Sequence, residues 1–203
     1  VSAVTAKAVL VVVEDQVSEA VMRRLIASSG KNLVIDRGVV SGGNGPLKSG
    51  IGRFVAASHA LPHVVLTDLD NSPCPPALLR AWRADRLPPR VLLRVAVREV
   101  EAWLMADRSG IAGYLSVPVV RVPTNPEADP DPKQTLVGLA RKSRKRRVAQ
   151  ELAPQAGSSN QVGPLYNARL VEFATGIWNV ERARERAPSL DRAMQRLSGF
   201  LMS

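Results

Sequence analysis

Stretches rich in apolar residues alternate along the chain with stretches in which apolar residues recur every three or four positions. Residues 8–13 form a continuous apolar run, which is typical of a strand buried on both faces of a sheet, and residues 33–40, 62–69 and 90–97 are predicted to be three further strands. The periodic stretches predict helices, which cover residues 17–28, 48–59, 76–84 and 99–107. Strand and helix therefore alternate, which predicts an α/β fold with a mainly parallel sheet and helices on both faces.

The second half of the chain follows a different pattern. Residues 118–132 contain five prolines and several acids, so we predict an extended loop there. Helical spacing then returns in four segments, at residues 133–141, 144–152, 161–175 and 188–201. We predict one structural unit, in which a loop and helical extension over residues 116–203 packs on an α/β core over residues 1–115.

Composition restricts the class of protein. The chain has 203 residues, of which 45% are hydrophobic and 23% are charged, as is usual for a globular domain with a substantial core. No apolar run approaches the roughly 20 residues that span a bilayer. The N-terminus lacks the pattern of a signal peptide. We therefore expect no membrane contact and a cytoplasmic location. The one cysteine, Cys74, excludes an internal disulfide, and we expect it to be a small buried residue.

Positive charge is in surplus, with 28 Lys and Arg against 18 Asp and Glu and a formal net charge of +10. A surplus of this size favours an anionic partner, most often nucleic acid, although an arginine-rich composition alone also produces it. The stretch RKSRKRR concentrates six cations, which would attract a DNA or RNA phosphate backbone or form a solvated helix face. These candidates are Arg141, Lys142, Arg144, Lys145, Arg146 and Arg147.

Acidic residues follow three of the four predicted strands. Glu14 follows the first strand, Asp68 and Asp70 end the third, and Glu99 and Glu101 come just after the fourth. The carboxyl ends of parallel strands share one edge of the sheet, where ligands bind, so these acids can converge. Clustered carboxylates repel one another unless a cation lies among them or one of them stays protonated. Mg²⁺ prefers such oxygen ligands, and one to three carboxylates suffice to bind it.

Each of these acids also has a structural explanation. Asp70 can cap the turn formed by the following Asn-Ser-Pro, and Glu19 can stabilise the first turn of its helix. Asp107 is expected to be solvated or to form a turn. Glu99 and Glu101 are two residues apart and do not face the same way, so we expect only Glu101 to enter the site.

Two lysines are further candidates for contact with a reacting phosphate. Lys48 belongs to the glycine-rich stretch SGGNGPLKSG, which precedes a predicted helix but lacks the P-loop spacing, and which can equally be a flexible connection. Lys133, in DPKQTL, stands beside several acids. It either balances charge that develops on phosphate or lies on the surface.

Part of the pattern resembles a response-regulator receiver domain. In the segments VVVEDQ and DLDNSP, Asp15 would belong to the acid pair of that family and Asp68 would be its phosphoacceptor. The family also has a Ser or Thr at the end of the fourth strand and a later Lys-Pro. Neither is present in the corresponding segments here, so this resemblance is the weaker one.

The Toprim family, which includes topoisomerase and primase catalytic domains and several nucleases, is the better match. Its Glu after the first strand corresponds to Glu14, and its Asp-x-Asp after the third corresponds to Asp68 and Asp70. The chain looks closest to uncharacterised Toprim-like proteins that resemble the overcoming-lysogenisation-defect nucleases and are often encoded beside ATPases. The similar segments are LTDLDNSPCP, RVAVREVEAWLMAD, DPKQTL, GPLYNARLVEF and APSLDRAMQRL.

The resemblance implies a Toprim-like, Rossmannoid fold and a metal-dependent nuclease or related phosphodiester-cleaving enzyme. Glu14 would be the general acid or base, or a shared ligand. One or two Mg²⁺ or Mn²⁺ ions would be held by acids from the set Glu14, Glu19, Asp68, Asp70 and Glu101. A partner ATPase and a role in phage defence or genome maintenance follow by family association only.

Two positions depart from the Toprim pattern. Asp15 and Asn71 stand where many members of the family have glycine. Asp15 adds a further negative charge, which either strengthens metal binding or marks a site that has lost its activity. The alternative is a non-catalytic Toprim-like subunit that binds a partner protein or a nucleotide, with oligomerisation also open.

Overall fold

The computed structural model describes residues 6–30 and 33–201. Within these residues the strands are β1 (Lys7–Val13), β2 (Leu33–Val40), β3 (His63–Asp68) and β4 (Val91–Ala96). The helices of the first half are α1 (Gln16–Ser28), α2 (Asn44–Ala57), α3 (Pro75–Ala81), α4 (Val100–Ala106) and α5 (Arg108–Leu115). Those of the second half are α6 (Pro132–Arg141), α7 (Arg146–Leu152), α8 (Tyr166–Gly176), α9 (Val180–Arg184) and α10 (Pro188–Gly199).

The four strands form one parallel sheet in the order β2-β1-β3-β4. From β1 the chain crosses to β2 on one side, and it then returns to β3 and β4 on the other. The order therefore reverses between β1 and β3, which is where open α/β sheets place their ligand sites. The predicted α/β class, with a parallel sheet flanked by helices and further helices at the C-terminal end, is confirmed.

Helices cover both faces of the sheet because successive strand residues point to opposite sides. Val11 and Val13 of β1 belong to a buried cluster shared with α1 and with the helices from α4 to α10. Val12 belongs to a second cluster, formed with α2 and α3. None of the helices in the described ranges is both long enough and apolar enough to cross a bilayer.

Two short helices do not follow from the hydrophobic pattern. These are α5 and α9, and each begins at a side-chain cap: the Asp107 carboxylate accepts from the Gly110 amide, and the Asn179 side chain accepts from the Arg182 amide. The predicted loop over residues 118–132 also contains two single turns of 3₁₀ helix, at Val119–Arg121 and Pro126–Ala128. Side-chain capping, which a periodicity count does not detect, begins α5 and α9, whereas neither 3₁₀ turn has a side-chain cap.

The structure contradicts the prediction at Cys74 and decides between the two alternatives at Asp107. Cys74 is exposed, because it directly precedes α3 at the end of a turn-rich segment. Asp107 is fully buried and not solvated, and it lies in the turn between α4 and α5, where its side chain caps α5. Its carboxylate faces the guanidinium of Arg182 on α9, at 2.8 Å from Nε.

Gly163 is expected to be a sensitive packing position. A Cβ atom there would lie 2.5 Å from the Glu151 carbonyl oxygen and 2.6 Å from the Leu152 carbonyl carbon. Backbone atoms cannot rotate away, so we expect Gly163→Ala to lower the free energy of unfolding by about 1–3 kcal/mol. At Gly138 in α6 a Cβ would meet no atom within 4 Å, so Gly138→Ala should raise it by about 0.5–1 kcal/mol. Urea unfolding of both variants tests whether the two changes in the free energy of unfolding have opposite signs.

Candidate functional site

The Glu14 side chain connects the carboxyl ends of β1 and β3. Its Oε1 atom accepts hydrogen bonds from the Thr67 hydroxyl at 2.5 Å and from the Asp68 amide at 2.9 Å. The Glu14 carbonyl oxygen in turn accepts from the amides of Gly42 and Gly43, both with positive φ, at 3.0 and 3.2 Å. The glycine-rich loop after β2 is thus held at the same edge of the sheet.

Asp68 and Asp70 are each held by a hydrogen bond to another element. Asp68 Oδ1 accepts from the amide of Val100, the first residue of α4, at 3.0 Å. The first amides of a helix have no partner inside it, so a carboxylate there is favourable. Asp70 has a φ of 47°, which Asp tolerates, and its Oδ2 accepts from the Asn44 side chain at the start of α2, at 2.8 Å.

Glu99 and Glu101 flank the ammonium group of Lys133. Lys133 Nζ lies 3.6 Å from Glu99 Oε1 and 3.8 Å from Glu101 Oε1. The Lys133 amide also donates to Glu99 Oε2 at 2.9 Å, and the Tyr166 hydroxyl donates to Glu101 Oε1 at 3.1 Å. Glu101 is only 2% exposed, and its buried Oε2 has no hydrogen-bond partner. Both acids therefore meet the same lysine, although only Glu101 is almost completely buried.

The electrostatics of the cluster oppose ionisation of its acids. Burial raises the pKa of Glu14. Burial, and then the charges of Glu101 and Glu14, raise the pKa of Asp68 well above its ordinary value. Burial also raises the pKa of Glu101 to about 7, against the opposing charge of Lys133. The positive charge of Lys133 alone therefore does not neutralise these acids, and a bound cation would be stabilised among them.

In each of four carboxylates, a hydrogen bond holds one oxygen and leaves the other oxygen without a hydrogen bond. Glu14, Asp68, Asp70 and Glu101 each use one oxygen in the hydrogen bonds above, and the second forms none within the described ranges. This donor chemistry suits a hard cation such as Mg²⁺ or Mn²⁺. The spacing is less favourable: among the described residues, no three His, Cys, Asp or Glu side chains are placed to hold a metal ion together. Binding would therefore require these side chains to turn toward one another.

Two other predicted site residues are placed outside this hydrogen-bonded group. Glu19 pairs with Arg23 on the next turn of α1, at 2.7 Å, and its carboxylate lies against Gly38 of β2. Lys48 is exposed in α2, one turn beyond Asn44 and therefore on the same side of the helix. Lys48 can extend toward the site, whereas the Glu19 carboxylate already has a cationic partner.

The six cations of the RKSRKRR stretch are all exposed. Arg141 ends α6, Arg146 and Arg147 begin α7, and the others belong to the connection between the two helices. Arg147 pairs with Glu151 one turn further along α7, at 2.7 Å. The remaining cations are available to an anionic partner.

Three residues of the site were not foreseen from the sequence. These are Thr67, which donates to Glu14, Asn44, which donates to Asp70, and Tyr166, which donates to Glu101. Thr67 is next to Asp68, so its place in the strand is a usable signal. Nothing in the sequence indicates that Tyr166, 65 residues after Glu101, meets it.

Comparison with known proteins gives no family assignment: no family model matches the chain, and neither the curated proteins nor the solved structures provide a match.

Proposed function

We propose that the protein is a Mg²⁺- or Mn²⁺-dependent phosphodiester-cleaving enzyme of the Toprim type, acting on DNA or RNA. The observation that carries the proposal is the direct hydrogen bonding of Glu14 to the Thr67–Asp68 segment, at the point where the strand order reverses. Acids from separate strand ends share one edge there, and each keeps a free oxygen. The resemblance to Toprim nucleases supports the same reaction class.

The proposed ligands are Asp68, Asp70 and Glu101, with Glu14 as a shared ligand or proton carrier. A bound divalent cation would supply charge that polarises the phosphate and lowers the pKa of water. Glu14 is suited to hold and release a proton, because burial raises its pKa above the ordinary value while Oε2 stays free. Lys133 is held by Glu99 and Glu101 and can balance negative charge that develops on phosphate.

Nucleic acid is the proposed substrate because the chain's excess positive charge is concentrated and exposed. The stretch from Arg141 to Arg147 presents six cations on the surface, and such cations bind a phosphate backbone without sequence preference. A partner ATPase and a function in phage defence or genome maintenance stay predictions from the family resemblance.

One observation favours a second candidate, a non-catalytic subunit that binds a partner protein or a nucleotide. The Lys133 ammonium already lies between Glu99 and Glu101, where it offsets part of the negative charge. Burial acts to lower the pKa of Lys133, but the charges of Glu101 and Glu99 outweigh it and hold that pKa above its ordinary value. A permanent internal cation of this kind would reduce the need for a metal ion.

A cleavage assay tests the enzymatic proposal. We expect the protein to cut supercoiled plasmid or structured RNA with Mn²⁺ or Mg²⁺ and to be inactive in EDTA. Glu14→Gln should lower the cleavage rate on the order of 10²-fold, because it keeps the hydrogen-bond acceptor but removes the proton-transfer group.

Glu185→Gln is the matched control, since Glu185 is an exposed acid whose hydrogen bond is to the neighbouring Arg186. It should leave the rate unchanged. Glu19→Gln decides whether that acid belongs to the site: a loss as large as that of Glu14→Gln would include it. Absence of metal-dependent cleavage on every substrate, with and without a candidate ATPase, would favour the non-catalytic subunit.

A further inference from the structure

Three arginines come together where α10 packs against β4, the last strand of the sheet. Arg94 belongs to β4 and is partly buried, while Arg192 and Arg196 are exposed one turn apart on α10. Burial, and then the positive charges of Arg196 and Arg192, lower the pKa of the Arg94 guanidinium. The three charges are thus close enough to repel one another.

Negative charge offsets this arginine cluster only in part, since Glu127 is the one acid whose charge interacts with Arg192 among the described contacts of the cluster. Within the described residues, none of the three forms an ion pair or a hydrogen bond, and the buried Nε of Arg94 has no acceptor. Hydrogen bonds hold both neighbouring acids elsewhere: Asp191 pairs with Arg184 at 2.8 Å, and Glu127, although its charge also interacts with Arg192, accepts from the Ser189 amide and hydroxyl. A buried donor without an acceptor, beside like charges, costs free energy that a bound anion would recover.

The shape beside the arginines restricts what the anion can be. Arg94 and Arg192 line a concavity of about 50 Å³, with Ser189 and with Pro75 and Leu79 of α3. Pockets for small organic ligands measure about 300–1,000 Å³, so a nucleoside does not fit inside. Guanidinium groups match phosphate oxygens in charge and geometry. The ligand that fits is a molecule that places a single phosphate group in the concavity and keeps its other atoms outside, as a polymer backbone does.

The cluster is also connected to the acids at the carboxyl edge of the sheet. The segment that follows Asp70 leads directly to Pro75 at the rim of the concavity. Arg98 holds the start of this segment by donating to the carbonyl oxygens of Asp70 and Ser72, at 3.0 and 2.9 Å. In the complex that this arrangement suggests, a nucleic-acid strand bound at the acids would cross this segment to reach the arginines.

We propose that Arg94, Arg192 and Arg196 form a second binding site for the phosphate backbone of the nucleic acid. This site is separate from the exposed stretch between α6 and α7. The inference rests on the proposed function for its choice of nucleic acid, but it concerns binding and not cleavage.

Binding of a fluorescein-labelled single-stranded oligonucleotide, measured by anisotropy in EDTA, tests the proposal. We expect Arg192→Gln/Arg196→Gln to weaken binding about tenfold or more, and to reduce the slope of log K against log salt by about 1–2. The matched control is Arg37→Gln/Arg121→Gln, which removes the same charge at exposed positions of β2 and of the loop after α5. It should weaken binding about threefold or less.

Equal losses in the two double variants would overturn the proposal, because they would reflect net charge alone. Arg94→Met provides a second measurement: we expect weaker binding together with a higher melting temperature, since the unpaired charge is removed. A lower melting temperature with unchanged binding would show a structural role and overturn the proposal. Displacement of the oligonucleotide by a mononucleotide at equal phosphate concentration would overturn the assignment to a polymer. Because no metal is present, these outcomes do not depend on whether the protein cleaves nucleic acid.

Discussion

Asp68→Asn is expected to remove metal-dependent cleavage and, at the same time, to raise the melting temperature of the metal-free protein. Asn has nearly the same size, and its side-chain oxygen can still accept from the Val100 amide. What it loses is the negative charge that would hold a divalent cation. Such a cation contributes several kcal/mol to the transition state, so we expect a loss of at least about 10³-fold in rate.

The gain in stability has a separate cause. Burial raises the pKa of Asp68, and so do the charges of Glu101 and Glu14, which means that the ionised group is disfavoured in the folded protein. At neutral pH without a cation, the folded state carries this cost and the unfolded chain does not. A neutral side chain at this position removes the repulsion, so the two effects of one substitution have opposite signs.

Thermal unfolding in EDTA and in Mn²⁺ measures both effects. Mn²⁺ should raise the melting temperature of the wild type, because a ligand that binds only the folded state stabilises it, and it should not do so for Asp68→Asn. Asp36→Asn, at an exposed acid of β2, is the control and should behave like the wild type. An Asp68→Asn variant that still cleaves nucleic acid would exclude Asp68 from the site.

The fold was predictable to the extent that hydrophobic pattern determines it. In β1 and β3, most residues are apolar and buried, and an apolar run of six or seven residues allows little besides a strand. The boundaries of α8 were less accurate: the pattern suggests that it begins at residue 161, but Gly163 packs on the backbone at the end of α7, and α8 begins at Tyr166. The hydrophobic periodicity of the sequence does not indicate such a contact between distant segments.

The candidate site was predictable for the residues that strand ends position. Parallel strands bring Glu14 and Asp68 to one edge whatever the details of packing, which is why two isolated motifs could be joined. Glu19 shows the limit of this reasoning. It is close to Glu14 in sequence, but its carboxylate pairs with Arg23. Residues from the C-terminal half, such as Lys133 and Tyr166, enter through tertiary packing that strand order does not specify.

Asp107→Ala is expected to cause the largest loss of stability of any substitution considered for this chain. The carboxylate is fully buried and accepts from the Gly110 amide at 3.1 Å, from the Asn179 amide at 2.9 Å, and from Nε and Nη2 of Arg182 at 2.8 and 3.0 Å. It therefore caps α5 and also fixes the start of α9. Loss of a cap costs about 0.5–2 kcal/mol, and loss of a buried ion pair about 3–5 kcal/mol. Because Arg182 is half exposed and can regain water, we expect a total of about 3–5 kcal/mol.

The pH dependence of this loss identifies its origin. Burial acts to raise the pKa of Asp107, but the hydrogen bonds from Arg182, Asn179 and Gly110 outweigh it and hold that pKa below its ordinary value. The ionised carboxylate thus stabilises the fold above the unfolded pKa of about 3.9, and this contribution disappears as the pH falls through the lower, folded value. In urea unfolding, the difference between wild type and Asp107→Ala should be full at pH 7 and should shrink in acid. Asp36→Ala should change stability by less than about 0.5 kcal/mol at either pH. A difference for Asp107→Ala that stays constant into acid would attribute the loss to packing and not to the Asp107 charge.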